Sequence, residues 1–508
     1  MPPVCISICE SDWPSVARAL RGASKHKRLI EIRLDCFASE VLQNFDALRE
    51  LIATCPQPTI VTFRGAQEGG RSDADFETRL RFWRDKGLDL SAKFVDLELD
   101  IAEQLSRDAV AVDWSRVICS YHNQDELPED LSQIFEQLAA TPARVLKIAV
   151  RVNDAVDCLP IFDLLERARR DGRELIAIGM GAAGLATRIL GPARGAFLTY
   201  GSLVKERATA AGQISVEELI NVYRVEKLTR ETVISGLVGS PVAHSISPQI
   251  HNAAFASWGT DAVYIPFEVR DLKAFFKRMV HPRTREIDWR LRGLSITAPH
   301  KSDVLAELDW IEPGAREIGA VNTVVVEADR LCGYNTDASA FIAQLKNRLG
   351  SLQNARVAII GAGGAASAAL YSLNQENARV AIFARDGRKA KELADRWSTE
   401  CRELQGAVFA EFDVVVNATP LGTKGLGELE TPAVAQQLRG ARLAYDLVYN
   451  PQVTQFLREA QVAGCETLAG LPMLLAQAVQ QFQLWTGESA NIDVMQTAAL
   501  KALSNSDQ

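Results

Sequence analysis

The chain has 508 residues, 47% hydrophobic and 24% charged, with a formal net charge of −8. Its length predicts about three or four domains, and its balance is that of a soluble globular protein. The acidic excess argues against a nucleic-acid or anionic-membrane partner, while leaving room for local basic pockets that take phosphates or carboxylates. Over the first ~200 residues, short apolar runs alternate with longer amphipathic stretches. The predicted strands are Val4–Ile8, Leu29–Leu34, Thr59–Phe63, Phe94–Leu99, Val117–Ser120, Val145–Val150, Ile176–Gly179 and Phe197–Tyr200. Stretches such as Ala74–Lys86 and Leu131–Ala140 between them read as helices. Eight such units predict a (β/α)8 TIM barrel, whose chemistry sits at the carboxyl ends of the strands.

Near residues 227–234 the pattern restarts after a short polar joint, Glu226-Lys227-Leu228-Thr229-Arg230-Glu231-Thr232. An α/β region follows to about Thr336. A second α/β unit opens at Arg356-Val357-Ala358-Ile359-Ile360 and runs into glycines. Pro472–Trp485 reads as an amphipathic helix. The predicted domains are 1–226, 232–336, 337–470 and a C-terminal helical part, 471–500.

Nine cysteines lie at 5, 9, 36, 55, 119, 158, 332, 401 and 465. None forms a Cys-x-x-Cys pair and none clusters with histidine at zinc spacing, so no metal is expected. Their scatter predicts a reducing compartment and a cytoplasmic protein. The N-terminal run Val4-Cys5-Ile6-Ser7-Ile8 has no basic segment before it, so neither a signal peptide nor a transit segment is expected. The longest apolar stretch, Val357 to Leu373, is shorter than the ~20 residues of a membrane helix and carries glycines.

Lys147 is the position that asks most of the first half. It interrupts the apolar run Val145-Leu146-Lys147-Ile148-Ala149-Val150. Burial of a lysine disfavours its charged form, and the same cost makes an amine more nucleophilic, as imine chemistry requires. The alternative is an ammonium at the strand end that snorkels to water. Other strand ends carry charges too. Glu31 and Arg33 alternate with apolar neighbours, so both can face the barrel interior. Arg64, Glu68, Glu98 and His122 follow or end later strands. An amine, an imidazole and several cations converging on one barrel mouth favour a catalytic reading over scattered structural charges.

These segments resemble the type I 3-dehydroquinate dehydratases. The likeness is carried by Glu31-Ile32-Arg33-Leu34-Asp35, Thr62-Phe63-Arg64, Glu68-Gly69-Gly70, Ser120-Tyr121-His122, Lys147-Ile148-Ala149-Val150, Gly184-Leu185-Ala186-Thr187-Arg188 and Ala208-Thr209-Ala210-Ala211-Gly212-Gln213-Ile214. It implies a Schiff base between Lys147 and the C3 ketone of 3-dehydroquinate, with His122 as general acid and base. Glu68 would orient His122 or the substrate, and Arg188 would pair with the substrate carboxylate. Ser7, Glu31, Arg33 and Arg64 would hold the rest of the ring. Thr209 and Gln213 would come from a closing loop. The family usually has Ser and Pro where this chain has Thr209 and Ala211, which implies a looser loop before closure.

The second half carries its own set. Val238-Gly239-Ser240-Pro241-Val242-Ala243-His244-Ser245-Ile246-Ser247-Pro248 is a hydroxyl-rich turn opening a helix, where Ser245 and Ser247 could seat a carboxylate or simply cap the helix. Thr297-Ala298-Pro299-His300-Lys301 puts a lysine past a strand. Asn322 and Asp337 lie in two further polar turns. Gly361-Ala362-Gly363-Gly364-Ala365 follows a strand and opens a small-residue helix, the geometry that seats a pyrophosphate on a helix N-terminus. Ala384-Arg385-Asp386 ends the next strand, with Arg388 and Lys389 beyond. Cations there suit a 2′-phosphate, hence NADP, and Asp386 is the counter-argument.

In this order the motifs resemble shikimate dehydrogenase. The likeness implies that Lys301 and Asp337 are the catalytic pair and that Ser245, Ser247, Thr297, Asn322, Tyr449 and Gln477 contact shikimate. Gly361, Ala362, Gly363, Gly364, Ala365, Arg385, Asn417-Ala418-Thr419, Leu447 and Gly470 would line the NADP site, here a Rossmann domain. The family commonly has Asn-Arg-Thr where this chain has Ala384-Arg385-Asp386, which implies fewer side-chain hydrogen bonds to the adenosine phosphate.

The two likenesses name consecutive steps, from 3-dehydroquinate through 3-dehydroshikimate to shikimate. A bifunctional enzyme is therefore expected. The alternatives are a second half acting broadly on quinate and shikimate, and a metabolite-sensing regulator without chemistry. The presence of His122, Lys147, Lys301 and Asp337 argues against the regulator.

Overall fold

The structure, a computed structural model, describes residues 3–37, 44–204 and 208–506. The chain divides into two compact units, the first built mainly on residues 1–232 and the second mainly on 233–508. The first holds eight strands: β1 (Val4–Ile8), β2 (Leu29–Arg33), β3 (Thr59–Thr62), β4 (Phe94–Glu98), β5 (Val117–Asn123), β6 (Val145–Arg151), β7 (Glu174–Met180) and β8 (Thr199–Ser202). They lie in the order β7-β6-β5-β4-β3-β2-β1-β8. Every pair is parallel. The amide of Phe197 donates to the Leu175 carbonyl at 2.8 Å and brings the two sheet ends together. The first unit is thus the expected near-closed barrel.

Seven of the eight strands differ from the sequence reading by one to three residues at an end, and two of these shifts bear on the site. β8 starts at Thr199, two residues beyond the predicted start; ahead of it Ala196 makes an isolated parallel bridge to Leu175, and Phe197 packs edge-on against Phe94. β5 runs on to Asn123, so His122 lies within the strand. One cysteine pair also departs from the unpaired scatter expected above: Cys9 and Cys36 form a disulfide, each just past the end of a neighbouring strand. Their separation of 27 residues matches no sequence motif.

Strand parity builds the barrel in layers, because every second side chain points inward. Cys5, Leu29, Ile60, Phe94, Ile118, Val145, Ile176 and Tyr200 belong to one buried apolar cluster. Two residues further along six of these strands stand Ser7, Glu31, Thr62, Asp96, Ser120 and Lys147, all buried. A polar layer therefore sits on an apolar floor.

The outer helices follow ordinary rules. Leu131–Ala139 is capped by Asp130, whose carboxylate accepts from the Gln133 amide at 2.9 Å. Its buried Leu131, Ile134, Phe135 and Leu138 recur at helical spacing, each stabilising by about 1.5–3 kcal/mol if fully buried.

The second unit holds two sheets. One, in the order β10-β9-β11-β13-β14-β12, uses β9 (Val233–Gly239), β10 (Ala262–Glu268), β11 (Arg290–Ile296), β12 (Trp310–Ile311), β13 (Thr323–Val326) and β14 (Leu331–Tyr334). It is mixed, since β13 runs antiparallel to β11 and β14. The other uses β15 (Arg356–Ile360), β16 (Arg379–Ala384), β17 (Glu400–Glu403), β18 (Val414–Asn417), β19 (Leu443–Asp446) and β20 (Glu466–Leu468). Its order is β17-β16-β15-β18-β19-β20, all parallel. The order reverses at β15, where a doubly wound sheet binds its ligand. The predicted amphipathic helix spans Leu471–Thr486 and buries Leu475, Phe482 and Trp485 against the mixed sheet's core.

Candidate active sites

Parity delivers the barrel's functional side chains to one cavity. It is lined by Glu31, Arg33, Arg64, Glu68, His122, Lys147, Arg188, Thr209 and Gln213, and by Ala149, Ile178, Met180 and Tyr200 among others. Nine of the predicted residues thus meet there. Ser7 lies beside them, donating to Glu31 at 2.5 Å and accepting from Thr209 at 3.1 Å.

Lys147 does not snorkel. It is 5% exposed, and its Nζ donates to Asp96 Oδ2 at 2.8 Å. Glu31 Oε1 is 3.6 Å away, and the Tyr200 ring centroid lies 4.4 Å from the nitrogen. Asp96 Oδ1 accepts from Arg64 at 2.7 Å and from Ser120 at 2.6 Å. Burial alone would raise the Asp96 carboxyl, but the charges of Arg64 and Lys147 outweigh it and hold it well below the usual range. Asp96 was missed in the sequence. Its signal was there: in Phe94-Val95-Asp96-Leu97-Glu98 it shares parity with inward Phe94 and with Glu98.

His122 Nδ1 lies 3.0 Å from Glu68 Oε2. Burial first, then the charges of Arg64 and Lys147, push the imidazole well below its ordinary value. That direction favours the neutral imidazole, the form a general base needs. Burial pushes Glu68 up to about 8, against the pull of Arg64. Arg64 also donates to Glu68 at 3.2 Å, so it braces both carboxylates. Glu98 carries no substrate-facing role in this network: it accepts from the Gly65 amide at 2.8 Å and from Arg79 at 2.9 Å. Arg33 is held bidentately by Asp35 at 2.8 and 2.9 Å.

Arg188 differs from the other arginines. It is 1% exposed, its Nε has no partner, and it makes no ion pair among the described residues. Among the described residues its one bond is a long one, 3.4 Å, to the Ala211 carbonyl. Burial lowers it to about 10. A buried cation without a counter-charge is costly unless an anion arrives.

In the second unit, Lys301 Nζ donates to Asp337 Oδ2 at 2.6 Å. Asn322 Nδ2 donates to Asp337 Oδ1 at 2.8 Å and to Thr336 Oγ1 at 2.9 Å. The carboxylate is therefore held on both oxygens. Ser245 donates to Ser247 at 3.1 Å, and Tyr449 is bonded to Ser245. Thr297 is half-buried, and the Gln477 amide turns back to the Leu474 carbonyl at 2.9 Å. Sequence reading also missed a buried chain beneath this site. Tyr264 donates to Ser295 at 2.8 Å, Ser295 to Gln481 at 2.7 Å, Gln481 to Thr323 at 3.0 Å, and Thr323 to Asn322 at 2.8 Å.

The glycine turn fits a dinucleotide. Gly361 has φ +128°, and a Cβ there would stand 2.9 Å from the Ala418 carbonyl oxygen. A Cβ on Gly363 would meet open space, which leaves that edge free for a phosphate beside the 12-residue helix Gly364–Gln375. Ala362 and Ala365 complete the turn. A Cβ on Gly364 would lie 3.1 Å from Lys301 Cδ, so the turn and the lysine are neighbours. Arg385, Arg388 and Lys389 are exposed at the end of β16. Asp386, the residue that argued for NAD, instead caps the helix Gly387–Trp397, accepting from the Arg388 and Lys389 amides. Asn417 holds the opposite wall, accepting from Thr419 at 2.7 Å and donating to Asp446 at 3.0 Å. Gly470 packs on the Leu447 carbonyl, where a Cβ would come within 2.5 Å.

Four family models match the chain. They are described as type I 3-dehydroquinase over residues 4–230, shikimate dehydrogenase substrate binding domain over 237–324, shikimate / quinate 5-dehydrogenase over 343–468, and shikimate 5'-dehydrogenase C-terminal domain over 470–500. A chloroplastic bifunctional 3-dehydroquinate dehydratase/shikimate dehydrogenase of Arabidopsis thaliana is 33% identical over 484 residues, 90% of this chain and 77% of the relative. A shikimate dehydrogenase (NADP(+)) of Symbiobacterium thermophilum is 40% identical over 287 residues, 53% of this chain and 94% of its own. A crystal structure of a shikimate dehydrogenase in complex with NADP+ superposes with a TM-score of 0.50 at 33% identity, covering 54% of this chain and 97% of that one. With two separate sites of matching chemistry in one polypeptide, the chain belongs to the bifunctional 3-dehydroquinate dehydratase/shikimate dehydrogenases, and its cofactor is NADP.

Proposed function

We propose that Lys147 forms the imine of the dehydratase half. The observation that carries this is its buried amine, set between Asp96, Glu31 and the Tyr200 face on the floor of a cavity in which Arg188 is the cation without an ion pair among the described residues. Substrate carboxylate on Arg188 would satisfy that guanidinium and bring the C3 ketone to the amine. The imine, once protonated, acidifies the C2 proton; His122 takes it and returns it to the leaving C1 hydroxyl. Ionised Glu68 would accept from His122 Nδ1–H and leave Nε2 as the base. Ser7, Glu31, Arg33 and Arg64 would orient ring hydroxyls directly or through their neighbours. Thr209 and Gln213, bonded to each other at 3.1 Å, would cover the site.

In the reductase half, bound NADPH supplies the hydride. Ser245, Ser247 and Tyr449 would seat the substrate carboxylate. Lys301 would donate a proton to the developing alkoxide, with Asp337 and Asn322 aiming it. Thr297 and Gln477 would complete the ring contacts. The glycine turn, Asn417, Thr419, Leu447 and Gly470 would hold the dinucleotide, and Arg385 with Arg388 and Lys389 its 2′-phosphate.

Among the described residues, no helix is long and apolar enough to cross a membrane. A cytoplasmic place is supported by the seven free cysteines and opposed by the Cys9–Cys36 disulfide.

Borohydride added with 3-dehydroquinate should leave a reduced adduct on Lys147, read by mass spectrometry of peptides. An unmodified lysine would sink the imine mechanism. Lys147→Ala should abolish dehydration and spare NADPH-dependent reduction of added 3-dehydroshikimate, and Lys301→Ala should do the reverse. Loss of both activities in either variant would mean that the two halves are not independent.

A further inference from the structure

The apolar floor of the barrel carries a group to which neither the sequence motifs nor the proposed mechanism gives a task. Tyr200, on β8, is 5% exposed and lines the cavity. Its ring centroid is 4.4 Å from Lys147 Nζ. Its phenol oxygen is buried without a partner among the described residues, so the hydroxyl does not explain why the ring lies there.

The amine has three close neighbours: the Asp96 carboxylate at 2.8 Å, the Glu31 carboxylate at 3.6 Å and the Tyr200 face. They respond differently to the chemistry. When the neutral amine adds to a ketone, a C–N bond forms. The oxygen then leaves as water, taking one proton from nitrogen and one from a general acid. The product is an iminium, with a full positive charge on the same tethered nitrogen and a single N–H. One N–H cannot serve both carboxylates. A π face needs no N–H, because its quadrupole attracts the charge itself. The carboxylates keep their Coulomb attraction, but a single N–H lets only one of them keep its hydrogen bond, whereas the attraction of the Tyr200 ring depends on no N–H and grows as charge forms on the nitrogen.

We propose that the face of Tyr200 stabilises the iminium formed on Lys147, making it a further catalytic group of the dehydratase. This rests on Lys147 as the imine-forming lysine. It requires ring electrons, not the hydroxyl. In a desolvated site the contribution corresponds to roughly a 3- to 30-fold rate effect.

The test replaces Tyr200 in the full-length enzyme by Phe, by 4-fluoro-, 3,5-difluoro- and 3,4,5-trifluorophenylalanine, and by Leu. Each variant is read by dehydration kcat and by the rate of borohydride trapping. Reductase activity and the barrel's thermal transition report folding in the same chain. Tyr200→Phe should stay within about two-fold of the parent. The logarithm of kcat should then fall stepwise with each added fluorine, and Tyr200→Leu should lie at or below the trifluoro variant. Equal rates for Phe and trifluorophenylalanine in folded enzyme would overturn the proposal. So would a Phe variant as slow as Leu, which would assign the effect to the hydroxyl. Absence of any adduct on Lys147 in the parent enzyme would instead remove the imine reading, a separate outcome.

Discussion

Lys147 Nζ donates to Asp96 Oδ2 at 2.8 Å while Arg64 donates to the other oxygen of the same carboxylate at 2.7 Å. One buried acid therefore compensates two buried cations. It also ties the Lys147 amine to the arginine that braces Glu68, so that the proposed nucleophile and the partner of the proposed base share one support.

Asp96→Asn removes this charge and leaves Lys147 and Arg64 facing each other. Breaking a buried ion pair costs about 3–5 kcal/mol. The barrel's urea transition should fall accordingly, and dehydration should drop by at least about 100-fold, the cost of misplacing a reacting group. An unfolding midpoint equal to the parent's would show that Asp96 is not the compensating charge.

Glu68 gives the dehydratase a predicted pH response. Its carboxyl is raised by burial from 4.5 to about 8. Below that value it is protonated; above it, the carboxylate accepts from His122 and frees the other ring nitrogen. The rate should rise with pH through about 8 and level off, and Glu68→Gln should flatten that limb. The stability sign is opposite. A group with a raised folded value contributes most below its unfolded value near 4.5, and that contribution is lost as pH rises through 8. A rate that falls with rising pH across this window would exclude ionised Glu68 as the productive form.

Arg188 is expected to trade stability for binding. Arg188→Met removes a buried charge that has no carboxylate partner among the described residues while keeping much of the packing. The variant should unfold at a higher temperature than the parent. Its KM for 3-dehydroquinate should rise by roughly 10- to 100-fold, the worth of a lost charged hydrogen bond. Differential scanning calorimetry and steady-state assays read both. A lower melting temperature with unchanged KM would make Arg188 a structural cation.

The end of β16 separates cofactor choice from helix capping. Arg385→Ala should raise the KM for NADPH and leave that for NADH nearly unchanged. Asp386→Ala should cost about 1 kcal/mol through the lost cap and leave the NADPH/NADH ratio where it was. A large gain in NADPH preference from Asp386→Ala would place its carboxylate against the ribose instead.

Much of this was legible in the sequence because it is periodic or local. Period-two runs separated by amphipathic stretches define the barrel, and parity in Leu29–Arg33 points Glu31 and Arg33 inward. The glycine turn between β15 and its helix is readable because only glycine tolerates φ +128° without strain. Lys147 stood out because an apolar strand does not otherwise admit an ammonium.

What the sequence left open depended on contacts between distant segments. Whether Lys147 is buried or reaches water was decided by Asp96, 51 residues away. Asp386 could be read as a ribose ligand until its carboxylate was found on two backbone amides. Cys9 and Cys36 pair because β1 and β2 are adjacent, not because of their spacing. Periodicity and backbone sterics are properties of neighbours in sequence, so the chain alone determined its elements, their inward faces and its two sets of motifs. Charge compensation is a property of neighbours in space. Only the tertiary structure decided which carboxylate holds the amine, which buried arginine lacks an ion pair among the described residues, and which ring lies beneath the Lys147 nitrogen.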